Sequence, residues 1–97
     1  MKALTLALFV LAGFAFANQQ LAQQKGCMAC HAIDAKKVGP AYKEIAKKYA
    51  GRADAVDYLS QKIKQGGRGV WGQVPMPPQN VSDQEARQLA QWIMTIK

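Results

Sequence analysis

Apolar side chains recur at spacings of three and four in four segments of the chain, and no segment alternates apolar and polar residues as a strand would. The first predicted helix runs from about Gln19 to Cys27 and is entered through Asn18, a residue type favoured at helix N-caps. The second is introduced by Pro40 near its first position and ends at Gly51. Its apolar face comprises Tyr42, Ile45, Ala46 and Tyr49.

The second half of the chain contains two further predicted helices. One spans about Ala53 to Gln65 and stops at Gly66-Gly67. The other begins at the capping box Ser82-Asp83-Gln84-Glu85, whose serine caps an early amide while the glutamate reaches back. The inward positions are Val56, Leu59 and Ile63 on the first of these helices, and Leu89, Trp92, Ile93 and Ile96 on the second. The pattern predicts an all-α fold with one long loop.

That long loop, Gly66 to Val81, is rich in glycine and proline and separates the third and fourth predicted helices. Irregular loops of this length are uncommon in compact domains and are usually functional. We therefore expect part of the binding chemistry to lie in it.

The first residues have the features of an export signal. Lys2 is followed by an apolar run from Ala3 to Phe14, and Ala15-Phe16-Ala17 has the small-x-small pattern that signal peptidase cleaves after. A membrane anchor is the alternative, but the run is shorter than the roughly 20 residues that span a bilayer. We expect residues 1–17 to be removed and residues 18–97 to form one domain in the periplasm, with no membrane span.

Charge narrows the range of partners. Removing Lys2 from the 13 basic side chains leaves 12 against 6 acidic ones, a formal charge of +6. A positive net charge speeds the encounter with oppositely charged molecules, so acidic partner proteins are favoured. Nucleic acid is an unsuitable partner for an exported protein. The 80 residues left after cleavage are few for a stable core, and such small domains usually need a covalent or metal staple.

The sequence Cys27-Met28-Ala29-Cys30-His31 supplies a candidate for that staple, because C-x-x-C-H is the attachment motif of c-type haem. Two thiols at this spacing reach the two vinyl groups of one porphyrin edge, and the adjacent histidine is then held beneath the iron. A thioredoxin-type redox pair would need a βαβ setting, and a zinc site would need further ligands. The chain has no other cysteine or histidine. One haem c, with its iron, is therefore the predicted cofactor.

A single histidine leaves the sixth iron ligand to a methionine, a lysine, a terminal amine, water or nothing. Met28 lies between the two cysteines, on the side turned away from the porphyrin. Met94 is predicted on the last helix, opposite its apolar stripe, as a solvent-side or peripheral residue. Met76 lies in Val74-Pro75-Met76-Pro77-Pro78, where three prolines stiffen the loop. A methionine alone is often core filler, but the rigid setting favours His31 and Met76 as the two metal ligands.

The mature chain resembles the small class I bacterial cytochromes c of the c-551/c-552 group. The matching stretches are Lys25 to His31, Val38-Gly39-Pro40-Ala41-Tyr42, Gly69 to Pro78, Val81-Ser82-Asp83 and the helix containing Trp92. The resemblance implies the class I cytochrome c fold, about four short helices around one covalently bound haem. It also implies low-spin iron with His/Met ligation.

The same resemblance implies roles for five further residues. The carbonyl of Pro40 would accept a hydrogen bond from Nδ1–H of the haem histidine, and the indole N–H of Trp71 would donate to a haem propionate. Gln79 stands where the family places an amide side chain at the methionine sulfur. Lys62 stands where some relatives have an arginine near a propionate, and Arg68 is the second candidate for that contact.

His/Met ligation closes both axial positions, and apart from His31 no side chain of ordinary pKa near neutrality is present. We therefore expect an electron carrier, not a peroxidase-like enzyme or a gas sensor. Its partners would be redox proteins, met transiently by a monomer. The family suggests a cytochrome bc1-type donor and a terminal oxidase or nitrite reductase as acceptor. The docking face would be ringed by some of Lys25, Lys36, Lys37, Lys43, Lys47 and Lys48.

Overall fold

The computed structural model of the chain describes residues 18–97, so the predicted signal peptide lies outside the described residues. Residues 18–24 are helical and are called α1 here. A short 3-10 turn follows at Cys27–Ala29, and three helices follow that turn. They are α2 (Tyr42–Tyr49), α3 (Ala55–Gln65) and α4 (Asp83–Ile93). Between residues 18 and 97 the only sheet-like pairing is one isolated antiparallel bridge, Gly67 with Met76. The all-α prediction is confirmed.

The core is built on the packing of α3 against α4, with α2 packed on α4 beside it. Leu59 and Ile63 of α3 are buried with Leu89 of α4, as the apolar spacing predicts. The fully buried Ala86 and Ala90 also belong to this cluster and widen the apolar face of α4 beyond the predicted stripe. The remaining members of the cluster are Ala22, Tyr42, Ile45, Tyr49, Ala55, Trp92 and Ile93.

α1 ends earlier than the sequence pattern indicates. The helix stops at residue 24, and the amide of Lys25 still donates to the carbonyl of Leu21 at 3.0 Å. Gly26 then adopts a left-handed conformation (φ 79°), which terminates the helix and starts the 3-10 turn. At the other end Asn18 is itself helical and buried, so the prediction that it caps the helix is wrong.

α2 begins at Tyr42, two residues after Pro40. Its N-cap is Ala41, whose carbonyl accepts from the amides of Glu44 and Ile45 at 3.0 and 3.1 Å. Pro40 therefore lies outside the helix, and its carbonyl takes no part in the intrahelical hydrogen bonds. That carbonyl is left available to another part of the chain.

The ends of α3 and α4 also differ slightly from the predicted ones. Ala53 and Asp54 form a turn before α3, in which the Asp54 carboxylate is paired with Arg52 at 2.5 Å. α4 ends at Ile93, so Ile96 lies beyond the helix, although it still packs against the core. Met94 caps the helix and is half-buried against the same core, which agrees with the peripheral one of its two predicted positions.

The capping box at the start of α4 forms as predicted. The amide of Glu85 donates to Ser82 Oγ at 3.0 Å, and the amide of Ser82 donates to Glu85 Oε1 at 2.9 Å. The second bond, helped by Lys25 nearby, holds the pKa of the Glu85 carboxyl below its usual range. Its contribution to stability is therefore present above about pH 4.3 and is lost as the pH falls through the lower, folded pKa.

Two ion pairs run between the outer surfaces of α3 and α4. Arg87 Nη1 lies 2.5 Å from Asp57 Oδ1, and Lys64 pairs with Asp83. Exposed pairs of this kind contribute little each, roughly 0–1 kcal/mol. Buried apolar contact therefore dominates the association of the two helices. In the described part of the chain no helix is long and apolar enough to cross a membrane.

We expect Ser82→Ala to lower the free energy of unfolding by about 1 kcal/mol, because it removes the acceptor for an amide at the start of α4. Urea denaturation followed by circular dichroism measures the change. Ser60→Ala is the matched control, since the Ser60 hydroxyl only bonds back to the Val56 carbonyl within α3 at 2.7 Å. The control should stay within about 0.5 kcal/mol of the parent protein, and equal losses in both variants would contradict the capping argument.

Candidate haem-binding site

The C-x-x-C-H motif folds into one tight turn. The carbonyl of Cys27 accepts hydrogen bonds from the amides of Cys30 and His31 at 3.2 and 3.0 Å, so the three residues are held close together by one carbonyl group. Cys27 is half-buried and Cys30 is exposed, and both carry free thiols. Across residues 18–97 no group of three or more His, Cys, Asp or Glu side chains is arranged to hold a metal ion.

The environment of the two thiols differs. Burial raises the pKa of the Cys27 thiol, and the neighbouring Tyr42 hydroxyl offsets part of that rise. Burial, with a smaller effect of Cys27, also raises the pKa of Tyr42 well above its usual range. Tyr42 is therefore neutral at physiological pH, and the more exposed Cys30 lies closer to solvent.

His31 is buried, with 8 % of its surface exposed, and its ring is held on three sides. Nδ1 lies 2.7 Å from the carbonyl oxygen of Pro40. The ring stacks on Tyr42 with centroids 5.0 Å apart and planes 24° apart. Because a carbonyl only accepts, Nδ1 carries the proton and Nε2 keeps its lone pair. The chain's one histidine is thus oriented with a free metal-binding nitrogen.

Gly39 forms the third side of this enclosure. A Cβ at Gly39 would lie 2.5 Å from Cε1 and 2.9 Å from Nδ1 of the His31 ring, so only glycine lets the backbone pass here. The amide of Gly39 donates to the carbonyl of Cys30 at 2.8 Å, which returns the chain to the motif. The segment after the motif is therefore folded back over the histidine.

Met76 lies in the long loop and is half-buried. Its amide donates to the Gly67 carbonyl at 2.8 Å, and its carbonyl accepts from the Gly67 amide at 3.0 Å. The amide of Gln79 donates to the carbonyl of Ile63 in α3 at 3.0 Å. The methionine segment is therefore fixed by backbone hydrogen bonds as well as by its prolines.

Large apolar side chains face solvent on the two loops that carry Pro40 and Met76. Val38 is 60 % exposed on the first loop, and Val70, Trp71 and Val74 are 46 %, 42 % and 67 % exposed on the second. Clustered exposed apolar surface marks a binding site. With two free thiols and a histidine whose Nε2 is available, these residues fit a large, apolar, iron-containing ring.

Trp71 is associated with the polar edge of α2. Lys48 Nζ lies 5.4 Å from the Trp71 ring centroid. Burial and the neighbouring Tyr58 raise the pKa of Tyr49, whereas nearby Trp71 acts in the opposite direction. A cation thus lies beside the Trp71 ring, where an acidic group of a ligand would be accommodated.

The other residues with family-implied roles lie on or near α3. The side-chain amide of Gln79 donates to the Pro77 carbonyl at 2.7 Å, next to Met76 in sequence. Lys62 is exposed in the last turn of α3, with Nζ 5.5 Å from the Tyr58 ring centroid. Arg68 is exposed in the long loop. Their contacts to a cofactor stay predictions.

Two residues of the site were not identified from the sequence. The apolar spacing places Tyr42 on the core face of α2, yet Tyr42 also stacks on His31 and influences the Cys27 thiol. The sequence gives Gly39 no role beyond a matching stretch, although it packs against the histidine ring. The available signal was the run Gly39-Pro40-Ala41-Tyr42 shortly after the motif, since a glycine-proline pair beside a ligand indicates close backbone approach.

A family profile described as Cytochrome c matches residues 17–97. The chain belongs to the cytochrome c family. Cytochrome c-552 of Hydrogenobacter thermophilus is 72 % identical over 96 residues, covering 99 % of this chain and 98 % of the relative. Cytochrome c-551 of Pseudomonas aeruginosa is 58 % identical, covering 79 % of this chain and 74 % of the relative.

Solved structures agree with this assignment. The crystal structure of wild-type Nitrosomonas europaea cytochrome c552 superposes with a TM-score of 0.79 at 56 % identity, covering 81 % of this chain and 99 % of that one. The resemblance to the c-551/c-552 group and the class I cytochrome c fold are therefore confirmed. Like these cytochromes c, the chain is a haem c electron-transfer protein and not an enzyme.

Covalent attachment through the motif predicts a simple extraction result. Acid-acetone should leave the haem on the parent protein, whereas Cys27→Ala together with Cys30→Ala should make it extractable, because both thioether donors are gone. Absorbance of the organic phase and the mass of the protein measure the outcome. Met28→Ala, between the two cysteines, is the control and should retain its haem. Extractable haem in the parent protein would refute attachment at this motif.

Proposed function

We propose that this cytochrome c holds one haem c through Cys27 and Cys30, with His31 and Met76 as the axial ligands of its iron. In this proposal the protein shuttles single electrons in the periplasm, between respiratory complexes or reductases. The haem supplies the redox centre, because its iron exists in ferrous and ferric states. The polypeptide contributes the two ligands, their orientation, and a surface that partners recognise.

One observation carries the proposal: His31 donates from Nδ1 to the Pro40 carbonyl at 2.7 Å and so keeps Nε2 free for iron. A hydrogen bond at the second ring nitrogen fixes the tautomer and orientation of a ligating imidazole and raises its basicity. Tyr42 and the backbone of Gly39 restrict the ring on its faces. A ligand held this firmly would move little between oxidation states, which suits fast electron transfer.

Met76 is the best-supported partner for the opposite face. Its backbone exchanges two hydrogen bonds with Gly67, and the amide of Gln79, three residues later, donates to the Ile63 carbonyl. Met28 lies within the motif turn, and Met94 packs against the helical core. A thioether is a weak ligand, so a preorganised loop favours its binding, and a Met ligand raises the reduction potential.

The remaining residues would tune the cofactor and its surroundings. The Trp71 indole is proposed as a donor to a haem propionate, with Lys62 or Arg68 supplying a positive charge near it. Gln79 is proposed to approach the Met76 sulfur, and its amide bond to Pro77 holds it in the right part of the loop. These roles support binding and potential, and none of them requires proton transfer to a substrate.

Positive charge favours acidic redox partners. Lys43 and Lys47 are exposed on α2, and Lys36 lies in a cleft of about 310 Å³ shared with Pro40 and Trp71. Lys25 differs, because Glu85 lies 3.6 Å away and offsets its charge. Transient redox complexes bury small interfaces, below about 1,200 Å². A bc1-type donor and a terminal oxidase or nitrite reductase acceptor, met by a monomer, complete the proposal.

Met76→Ala tests the second ligand. The far-red sulfur-to-iron charge-transfer band of the ferric protein should disappear completely, and the reduction potential should fall, because the thioether that favours ferrous iron is gone. Absorption spectroscopy and redox titration measure both. Met94→Ala removes an equally long side chain from the core edge and should change neither property. A band that survives in Met76→Ala would mean that another group binds the iron.

Electron transfer to an acidic partner should slow markedly as ionic strength rises from 0.01 to 0.15 M, because the Debye length falls from about 30 to about 8 Å. Stopped-flow second-order rates measure this. Lys36→Glu and Lys43→Glu should flatten the dependence, with the potential nearly unchanged, since such charges act mainly on association.

Lys97→Glu, beyond the end of α4, is the control for this experiment. Lys37 is a poorer choice of variant, because its Nζ donates to the Met28 carbonyl at 3.1 Å and a reversal there would disturb the motif. A rate independent of salt, or equal effects from Lys36, Lys43 and Lys97, would instead indicate docking through apolar surface.

A further inference from the structure

Gly66 stands at the junction between α3 and the long loop. It is the C-cap of α3, and its amide donates to the Lys62 carbonyl at 2.8 Å. Its φ of 73° and ψ of −165° lie in a region that essentially only glycine occupies, and the residue is buried. Burial of a cap glycine means that another part of the chain lies directly against its Cα.

That part of the chain is the segment around Met76. A Cβ at Gly66 would lie 2.3 Å from the carbonyl oxygen of Met76, 2.9 Å from the nitrogen of Pro78 and 3.0 Å from the carbonyl carbon of Pro77. All three atoms belong to the backbone, so no side-chain rotation can relieve the contact. Of the residue types, only glycine allows this approach.

Hydrogen bonds hold the same two segments together. Gly67, the next residue, exchanges both backbone hydrogen bonds with Met76, and the Gln79 amide donates to the Ile63 carbonyl one turn back in α3. The backbone of Met76 is therefore bonded directly to Gly67, and a further bond to α3 follows three residues later. Ile63 is buried in the core with α4, so this end of α3 is fixed.

We propose that Gly66 is a positioning residue for the Met76 ligand: its missing side chain lets the methionine segment seat on the end of α3. This inference rests on the proposed ligation by Met76. The prolines stiffen the segment, but stiffness alone does not determine where the segment lies. The contact at Gly66 supplies that location and links the strength of the iron–sulfur bond to the packing of α3 on α4.

Gly66→Ala in the holoprotein tests the proposal. The new methyl group must push the Met76 peptide away, so the ferric far-red charge-transfer band should weaken. Imidazole, which competes with the thioether for ferric iron, should bind about tenfold more tightly, a change of about 1.4 kcal/mol. The apparent affinity rises because a larger fraction of molecules has the methionine dissociated. Optical titration with imidazole and redox titration measure the effects.

Two glycines provide controls for a positive φ. Gly51 has φ 80°, almost the same as Gly66, and Gly69 has φ 97° within the same loop. A Cβ at either would meet no atom within 4 Å. Gly51→Ala and Gly69→Ala therefore carry the penalty of a positive φ without the collision. Both should keep the parent band and imidazole affinity, and a Gly66→Ala effect no larger than theirs would overturn the proposal.

Met76→Ala separates this proposal from the one on which it rests. If Met76→Ala leaves the band and imidazole affinity unchanged, the ligand assignment itself is wrong. If Met76→Ala abolishes the band while Gly66→Ala matches the controls, the ligand assignment stands and the positioning role of Gly66 is refuted. Loss of the band in Met76→Ala and partial weakening in Gly66→Ala support both.

Should Gly66→Ala yield no folded holoprotein, amide hydrogen exchange in the parent protein decides the question. Seating of the segment on α3 predicts that the amides of Gly67, Met76 and Gln79 open together, with one common free energy. Addition of imidazole should speed the exchange of all three, because the dissociated methionine no longer holds the segment in place. Three unrelated exchange rates, or rates insensitive to imidazole, would overturn the proposal.

Discussion

The hydrogen bond from His31 to the Pro40 carbonyl is the interaction on which the arrangement of the site depends. It closes the segment that follows the haem-attachment motif, and three backbone bonds close the segment with it. The Gly39 amide donates to the Cys30 carbonyl at 2.8 Å, and the first two amides of α2 donate to the carbonyls of Ala32 and Ile33, each at 2.9 Å. The first backbone amides of α2 thus find their acceptors in the segment after the motif, and no side chain caps the helix.

Contacts between aromatic rings connect His31 to the hydrophobic core. Tyr42 stacks on His31 and meets Trp92 of α4 edge-on, with centroids 5.2 Å apart and planes at 69°. Such pairs are worth about 0.5–1.5 kcal/mol beyond their buried area. The histidine is therefore supported by α4 through one intervening side chain. A displacement of α4 would therefore shift Tyr42 and with it His31, although α4 itself supplies no ligand in the proposed site.

The Met76 segment of the proposed site is held by α3 and not by aromatic packing. Met76 depends on the end of α3, through Gly66, Gly67 and the bond from Gln79 to Ile63. α3 in turn packs on α4, so the supports of both proposed ligands meet in the same helix. Helices as short as these are marginal alone in water. This shared dependence explains how 80 residues with a small core can hold the two proposed ligands in fixed positions.

The sequence by itself determined the helical class, the haem-attachment motif, the capping box at Ser82 and the long loop. Each of these features depends only on which residues lie close together in the sequence. Two cysteines are separated by two residues, a serine stands three residues before a glutamate, and prolines surround a methionine. These features needed no knowledge of distant contacts. The predicted site residues that lie in this short range, Cys27, Cys30 and His31, are held in one turn as their spacing requires.

Only the tertiary structure decided how the distant parts meet. The apolar pattern could not show that α2 starts after Pro40, because the reason is the use of the Pro40 carbonyl by His31, nine residues away. It could not assign Tyr42 to the histidine or Gly66 to the methionine segment, since a tyrosine on a helical stripe and a glycine at a helix end both have sufficient local explanations. Contacts between segments depend on how the helices pack, and helical periodicity specifies which face is buried without specifying what covers it.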